Sequence, residues 1–209
     1  MTNNLHIAVF ASGRGSNFQA VLEHIREGNI PHAKIVVVVS NSSTAGALGI
    51  ARENSLPAVH CSRQKYGSDE EFVLALRATL SKYDANFVVL AGYMKMLPQE
   101  IVRQFRHRIL NVHPALLPAF GGKGMYGHHV HEAVIAYGAK VSGATVHLVD
   151  EEYDHGPVVL QSCVAVDASD SPDSLAKKVL AIEHRLLPEA VRLFAEGRVV
   201  VHDRKVIIN

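Results

Sequence analysis

The chain has 209 residues, 48% of them hydrophobic and 20% charged, with a formal net charge of +1. This is the balance of a globular protein with one sizeable core, too short for two full domains and without the basic footprint of a nucleic-acid or anionic-membrane binder. No apolar stretch reaches membrane-spanning length, and two cysteines, Cys61 and Cys163, form no CxxC pair, so neither a disulfide framework nor a cysteine zinc site is indicated.

Met1-Thr2-Asn3-Asn4 runs directly into strand-like sequence, without the basic and apolar regions of a signal peptide. A reducing cytoplasm is the expected home. Residues 5–11 read as a buried strand, and Ser12-Gly13-Arg14-Gly15-Ser16-Asn17 as a turn. Phe18, Val21, Leu22 and Ile25 then recur at helical spacing. The β-branched run Ile35-Val36-Val37-Val38-Val39 reads as a central parallel strand. A helix over 45–53, a short strand at Ala58-Val59-His60, a helix over 70–82 and a strand over 87–91 follow. This alternation predicts an α/β fold with a Rossmann-like, mostly parallel sheet and helices on both faces.

The second half changes character. A loop rich in Pro and Gly spans 114–127, strands are expected over 141–149 and 158–166, and Asp170-Ser171-Pro172 signals a helix start. That helix is expected to run to about Glu196 with a break near Pro188. A hairpin of Val199-Val200-Val201 against Val206-Ile207-Ile208 closes the pattern. The expected organisation is one domain over 1–209. Residues 1–110 form its phosphate-binding half, and 111–209 form a more irregular half that carries the catalytic residues.

Two segments carry chemistry. Asn111 and His113 lie two apart in Leu110-Asn111-Val112-His113-Pro114, so on a strand they share a face. Asp154, in Tyr153-Asp154-His155-Gly156-Pro157, sits on a loop able to fold back onto them. A carboxamide can donate to an oxyanion, an imidazole can move protons, and a carboxylate beside it would raise its pKa. These are parts for acyl-type transfer without a protein nucleophile. The plainer alternative is a strand end with a turn-capping Asp. Gly13-Arg14-Gly15-Ser16-Asn17, between the first strand and the first helix, suits a single phosphate; it is neither a dinucleotide fingerprint nor a Walker A loop. A Gly-rich turn with a Ser or Asn cap is its plain reading.

Ser12-Gly13-Arg14-Gly15-Ser16-Asn17-Phe18-Gln19-Ala20, Leu90-Ala91-Gly92-Tyr93-Met94-Lys95-Met96-Leu97 and Asn111-Val112-His113-Pro114-Ala115-Leu116-Leu117-Pro118 closely resemble the phosphoribosylglycinamide formyltransferase family. So do Gly143-Ala144-Thr145-Val146-His147, Asp154-His155-Gly156-Pro157 and Glu183-His184. The resemblance implies transfer of a formyl group from 10-formyltetrahydrofolate, as co-substrate, to the amine of glycinamide ribonucleotide in purine synthesis. It implies that Asn111, His113 and Asp154 are catalytic and that Gly15, Ser16 and Asn17 hold the substrate phosphate. Met94, Lys95, Met96, Leu97 and Asn111 would line the folate site, and Glu183 would touch the nucleotide unless it is merely an exposed helix glutamate. His147 would support the site. Direct attack through a tetrahedral intermediate is the implied route, with protonated His113 held by Asp154.

Asp69 stands where the family often has a basic folate contact, which leaves Arg63 or Lys65 for that role. His128-His129-Val130-His131 reads as a solvent-facing helix start, and no metal is expected. The same trio would serve a formyltetrahydrofolate hydrolase, whose family usually adds an N-terminal domain, or a methionyl-tRNA formyltransferase, which adds a C-terminal one. A non-catalytic nucleotide-sensing module would use the glycine loop alone. The expected partners are two small molecules, with no nucleic acid and no membrane; the sequence does not choose between a monomer and a homodimer.

Overall fold

A computed structural model describes residues 4–209; residues 1–3, on which the signal-peptide reading rested, lie outside the described residues. The first half alternates as its sequence pattern requires: β1 (Leu5–Phe10), α1 (Ser16–Arg26), β2 (Ala33–Ser40), α2 (Gly46–Glu53), β3 (Ala58–His60), α3 (Asp69–Lys82), β4 (Phe87–Leu90), α4 (Gln99–Gln104) and β5 (Ile109–His113). The second half holds α5 (His128–Tyr137), β6 (Val141–Leu148), β7 (Val158–Ala165), α6 (Pro172–Ala195) and the hairpin β8 (Val199–His202) and β9 (Lys205–Ile208). Helix starts follow local chemistry. Ser68 accepts from the Glu71 N–H ahead of α3, and Ser171 and Ser174 form a reciprocal capping box at α6 with Pro172 as first helical residue.

Seven strands form one sheet in the order β3-β2-β1-β4-β5-β6-β7. Pairs from β3 to β5 are parallel, whereas β5–β6 and β6–β7 are antiparallel. Side chains alternate across the sheet, so Ile7, Val9, Phe87, Val89, Leu110 and Val112 join α1, α2, α5 and α6 in one core. Ala8, Phe10, Val88, Leu90 and Ile109 join α3 and α4 in the other. This is the expected three-layer arrangement.

Three expectations change. The short helix α4 did not show in the sequence. α6 does not break at Pro188: the residue costs a backbone rung, but the helix is buried on both sides of it through Leu186, Leu187, Ala190 and Val191. His131 does not face solvent, being 5% exposed on the inner side of α5 beside Val130 and Val134.

Candidate active site

The carboxyl ends of β1, β4 and β5 open on one edge of the sheet, the usual place for a ligand in such folds. After β1 the chain turns through Gly15, at φ 89°, into α1, which begins without any side-chain cap. The first-turn N–H groups are therefore left for an anion. Only glycine fits this turn, because a Cβ would lie 2.8 Å from the Cα of Ala47 as well as in the left-handed region.

Asn17 has a structural partner that its place in the loop does not reveal. Its side chain is buried, and its Nδ2 donates to Glu183 Oε2 of α6 at 2.6 Å. One amide hydrogen of Asn17 is thereby committed to the protein, while its second amide hydrogen, its backbone N–H and Ser16 remain as donors. Glu183 is not an exposed helix glutamate: it is 8% exposed, and burial pushes its carboxyl up to about 7 against the lowering effect of Asn17.

Ser12 is a residue whose role the sequence reading passed over. Its N–H donates to the Gly92 carbonyl, its hydroxyl donates to Asn41 Oδ1 at 2.5 Å, and the Met94 N–H donates to that hydroxyl at 2.8 Å. One serine thus ties together the loops after β1, β2 and β4. Met94, Lys95 and Met96 are exposed on this rim. Leu97 is 4% exposed and packs into the core under α3 and α4, so only its backbone can face a ligand. Arg63 ion-pairs with Asp69, which answers the charge at the divergent position from within the protein. Lys65 Nζ lies 3.4 Å from the His60 carbonyl.

Asn111 and His113 do share a face of β5, and their antiparallel partners on β6 are His147 and Thr145. The four side chains project away from the core that holds Leu110 and Val112. His147 has Nδ1 2.9 Å from the Leu148 carbonyl and Nε2 3.0 Å from Asn111 Nδ2. A carbonyl only accepts, so the Nδ1 proton donates to Leu148 and Nε2 accepts from the Asn111 amide. This orients Asn111 and leaves its second amide hydrogen for the site. Thr145 donates to the Ala115 carbonyl at 2.6 Å and accepts from the Leu117 N–H at 3.0 Å, pinning the loop after β5.

Asp154 folds back as expected. Its Oδ2 lies 3.6 Å from His113 Nδ1 and accepts from the Gly122 N–H at 2.9 Å, while Oδ1 lies 3.7 Å from His147 Nε2. His113 Nε2 donates to the Phe120 carbonyl at 2.8 Å. Asp154 raises the His113 pKa as expected, but a larger effect opposes it. Burial of His113, only 3% exposed, outweighs the pull of Asp154 and of the Phe120 hydrogen bond, so its pKa is lowered. Burial would raise Asp154, but His147, His113 and the Gly122 N–H together bring it below its ordinary value. The resting pair is a neutral imidazole beside a carboxylate.

Among the described residues no cluster of three or more His, Cys, Asp or Glu side chains could hold a metal ion. His128 lies 3.7 Å from Glu132 and 3.8 Å from Asp173, and His129 lies 3.1 Å from Glu132. No described helix is long and apolar enough to cross a membrane.

Fold and site together define a Rossmann-like α/β protein with an uncapped helix start and an amide–imidazole–carboxylate cluster at neighbouring strand ends. The chain belongs to the formyl transferase family, whose pattern matches residues 5–191. It is 46% identical over 194 residues to a chloroplastic phosphoribosylglycinamide formyltransferase of Arabidopsis thaliana, covering 92% of this chain and 66% of that protein. A phosphoribosylglycinamide formyltransferase of Haemophilus influenzae is 34% identical, over 94% of this chain and 90% of the relative. The crystal structure of glycinamide ribonucleotide transformylase 1 from Symbiobacterium toebii superposes with a TM-score of 0.91 at 41% identity, covering 100% of this chain and 94% of that one. The chain spans 66% and 62% of the length of two plant relatives that it matches.

Proposed function

We propose that this chain transfers the formyl group of 10-formyltetrahydrofolate to the amine of glycinamide ribonucleotide, a step of purine nucleotide synthesis. The observation that carries this reading is the placement of two unlike sites on one sheet edge. An uncapped helix start follows β1, and Asn111, His113 and Asp154 gather at β5, two strands away. Two strand spacings amount to roughly 10 Å, a span that suits a phosphate at one end of a ribosyl-glycinamide and a reacting amine at the other. Residues 1–110 serve the phosphate, and 111–209 complete the catalytic and folate sites. The exposed Met94, Lys95 and Met96, with the Leu97 backbone, form the rim on which the folate would lie. The free thiols Cys61 and Cys163 support placing the reaction in a reducing, cytoplasm-like compartment.

The chemistry needs no protein nucleophile and no metal. The substrate amine attacks the formyl carbon, and the carbonyl π electrons move onto oxygen. The spare Asn111 amide hydrogen and the His113 Nε2–H donate to that oxygen, which takes the place of the Phe120 carbonyl as acceptor. A neutral imidazole already carries this N–H, so the lowered pKa of His113 does not prevent stabilisation. As the intermediate collapses, the carbon–nitrogen bond to folate breaks. The attacking nitrogen gives up a proton to His113 or a water, and the group so protonated delivers a proton to the departing folate nitrogen. Ionised Asp154 steadies the imidazole whenever it is positively charged.

Incubation with both substrates, and with each omitted in turn, tests the proposal. The expected result is formyl-glycinamide ribonucleotide and tetrahydrofolate in equal amounts, only when both substrates are present. Rapid formate release without the ribonucleotide would instead make the chain a hydrolase. Ribonucleotide binding without turnover would make it a sensing module.

A further inference from the structure

The loop between β6 and β7 carries Asp154 in a backbone conformation, φ 52°, that a non-glycine residue adopts only when its surroundings hold it there. On the far side of Asp154 the chain is wedged by close packing, since a Cβ at Gly156 would run into the Leu148 carbonyl. Between the two lies His155, which is gripped from both sides. Its Nδ1 is 2.7 Å from Asp150 Oδ2 within the loop. From 49 residues away, at the tip of the β8–β9 hairpin, Arg204 Nη2 donates to the His155 carbonyl at 2.7 Å. Arg204 Nη1 sits 3.3 and 3.1 Å from the two ring nitrogens of the same histidine. An atom nearly equidistant from both nitrogens cannot lie in the ring plane, where it would collide with the carbon between them. The guanidinium therefore stacks on the imidazole face while also bonding the backbone.

The hairpin that delivers this arginine has a fixed base. Val201 and Val206 pack against the main core, and β9 lies against β7. Arg204 is thus a strut from a seated element to the His155 carbonyl, one residue beyond Asp154.

We propose that Arg204 is a positioning residue for Asp154, acting through His155; this rests on the catalytic role given to Asp154 above. The strut keeps the Asp154 carboxylate against the Gly122 N–H and His113. Without it the loop keeps the Asp150–His155 contact, the Arg103–Glu151 ion pair and the Asp154 bond to the Gly122 N–H, but loses its hold on the His155 carbonyl. Arg204 touches neither substrate in this scheme, so its loss should slow the chemical step and leave the ribonucleotide site, on the other half of the sheet, unchanged.

The test uses Arg204→Ala, Arg204→Lys and Asp154→Asn singly, and Arg204→Ala combined with Asp154→Asn, in the full chain. Arg204→Ala should lower kcat by roughly tenfold, with the KM for the ribonucleotide and the melting temperature close to wild type. Arg204→Lys keeps a charge over the ring but loses the paired donors, and should recover part of the rate. In the Asp154→Asn background, Arg204→Ala should cost little more, because the group it positions is already gone. Hydrogen exchange of residues 150–156 reads the strut independently of activity, and should accelerate in Arg204→Ala while the rest of the molecule keeps its protection. Unchanged exchange in that segment would overturn the strut. A local rise in exchange with unchanged kcat, or a full tenfold loss in both backgrounds, would overturn its link to Asp154. A fall in melting temperature with exchange raised throughout would reduce Arg204 to a general structural role. If the wild type shows no formyl transfer, the functional reading fails while the exchange experiment still judges the strut.

Discussion

The glycine loop after β1 and the buried cluster on β5 and β6 are built from different parts of the chain. The loop offers backbone: Gly15 sets the turn, α1 begins uncapped, and the side chain of Asn17 is turned inward to Glu183. The cluster offers side chains held by their neighbours: Leu148 holds His147 and His147 holds Asn111, while the Gly122 N–H holds Asp154 and the Phe120 carbonyl holds His113. A backbone site should tolerate side-chain changes that keep its path, and a side-chain relay should not.

The largest effect is expected in the relay. His113→Ala removes a donor to the developing oxyanion, worth about 2.7–4 kcal/mol of transition-state stabilisation, so kcat should fall by two to three orders of magnitude. Ribonucleotide affinity should be nearly unchanged. Asp154→Asn should also reduce kcat and move the His113-dependent limb of the pH profile to lower pH, because burial already depresses that imidazole and the opposing charge is gone. Wild-type kcat at every pH would break the comparison.

Next in size is Gly15→Ala, which puts a Cβ against Ala47 and a non-glycine residue at φ 89°. A cost of about 1–3 kcal/mol is expected, seen as a lower melting temperature and at least tenfold weaker ribonucleotide binding, with folate binding little altered. Ser16→Ala, which leaves the backbone path intact, should cost far less affinity. Calorimetry on the two variants decides, and equal losses would mean that side chains rather than backbone make the loop.

The smallest effect concerns the joint between the two regions. Glu183 prefers its neutral form in the folded protein, with its pKa raised from 4.5 to about 7. Its stabilising contribution is therefore complete below pH 4.5 and is lost as the pH rises through 7. Glu183→Gln keeps an acceptor for Asn17 but cannot ionise. Its melting temperature should exceed that of the wild type by a few degrees at pH 8, with the gap closing toward pH 4.5. A gap independent of pH would show that Glu183 is already charged in the fold.

Much of this arrangement is legible in the sequence because it is written locally. Val36 to Val39 can scarcely be anything but a buried strand, and Ser171-Pro172 marks a helix start by cap chemistry alone. The two-residue spacing of Asn111 and His113 places both on one face whatever surrounds them. α4 escaped because six residues, with Ile101 and Val102 as their buried pair, are too few to display a helical period. The inward turn of His131 was available: it lies three residues before Val134, on the stripe that faces the core, but the run of histidines around it reads as polar. The Asn17–Glu183 bond joins residues 166 apart and leaves no local trace. Nor does sequence give the sign of the His113 shift, because that depends on how completely the loop after β5 covers the ring.

The bond between Asn17 and Glu183 also bears on the order in which the protein is made. The glycine loop and α1 leave the ribosome early, and the parallel strands that flank them soon after, while α6 is still untranslated. Asn17 must wait for Glu183, and Asp154 arrives between the two. A nascent chain therefore possesses the glycine loop well before it possesses a lasting partner for Asn17. The helix that supplies this partner is the same one that seals the core behind β5 and β6. The pairing of Asn17 and the closure of the core are thus a single event, reached only when α6 docks.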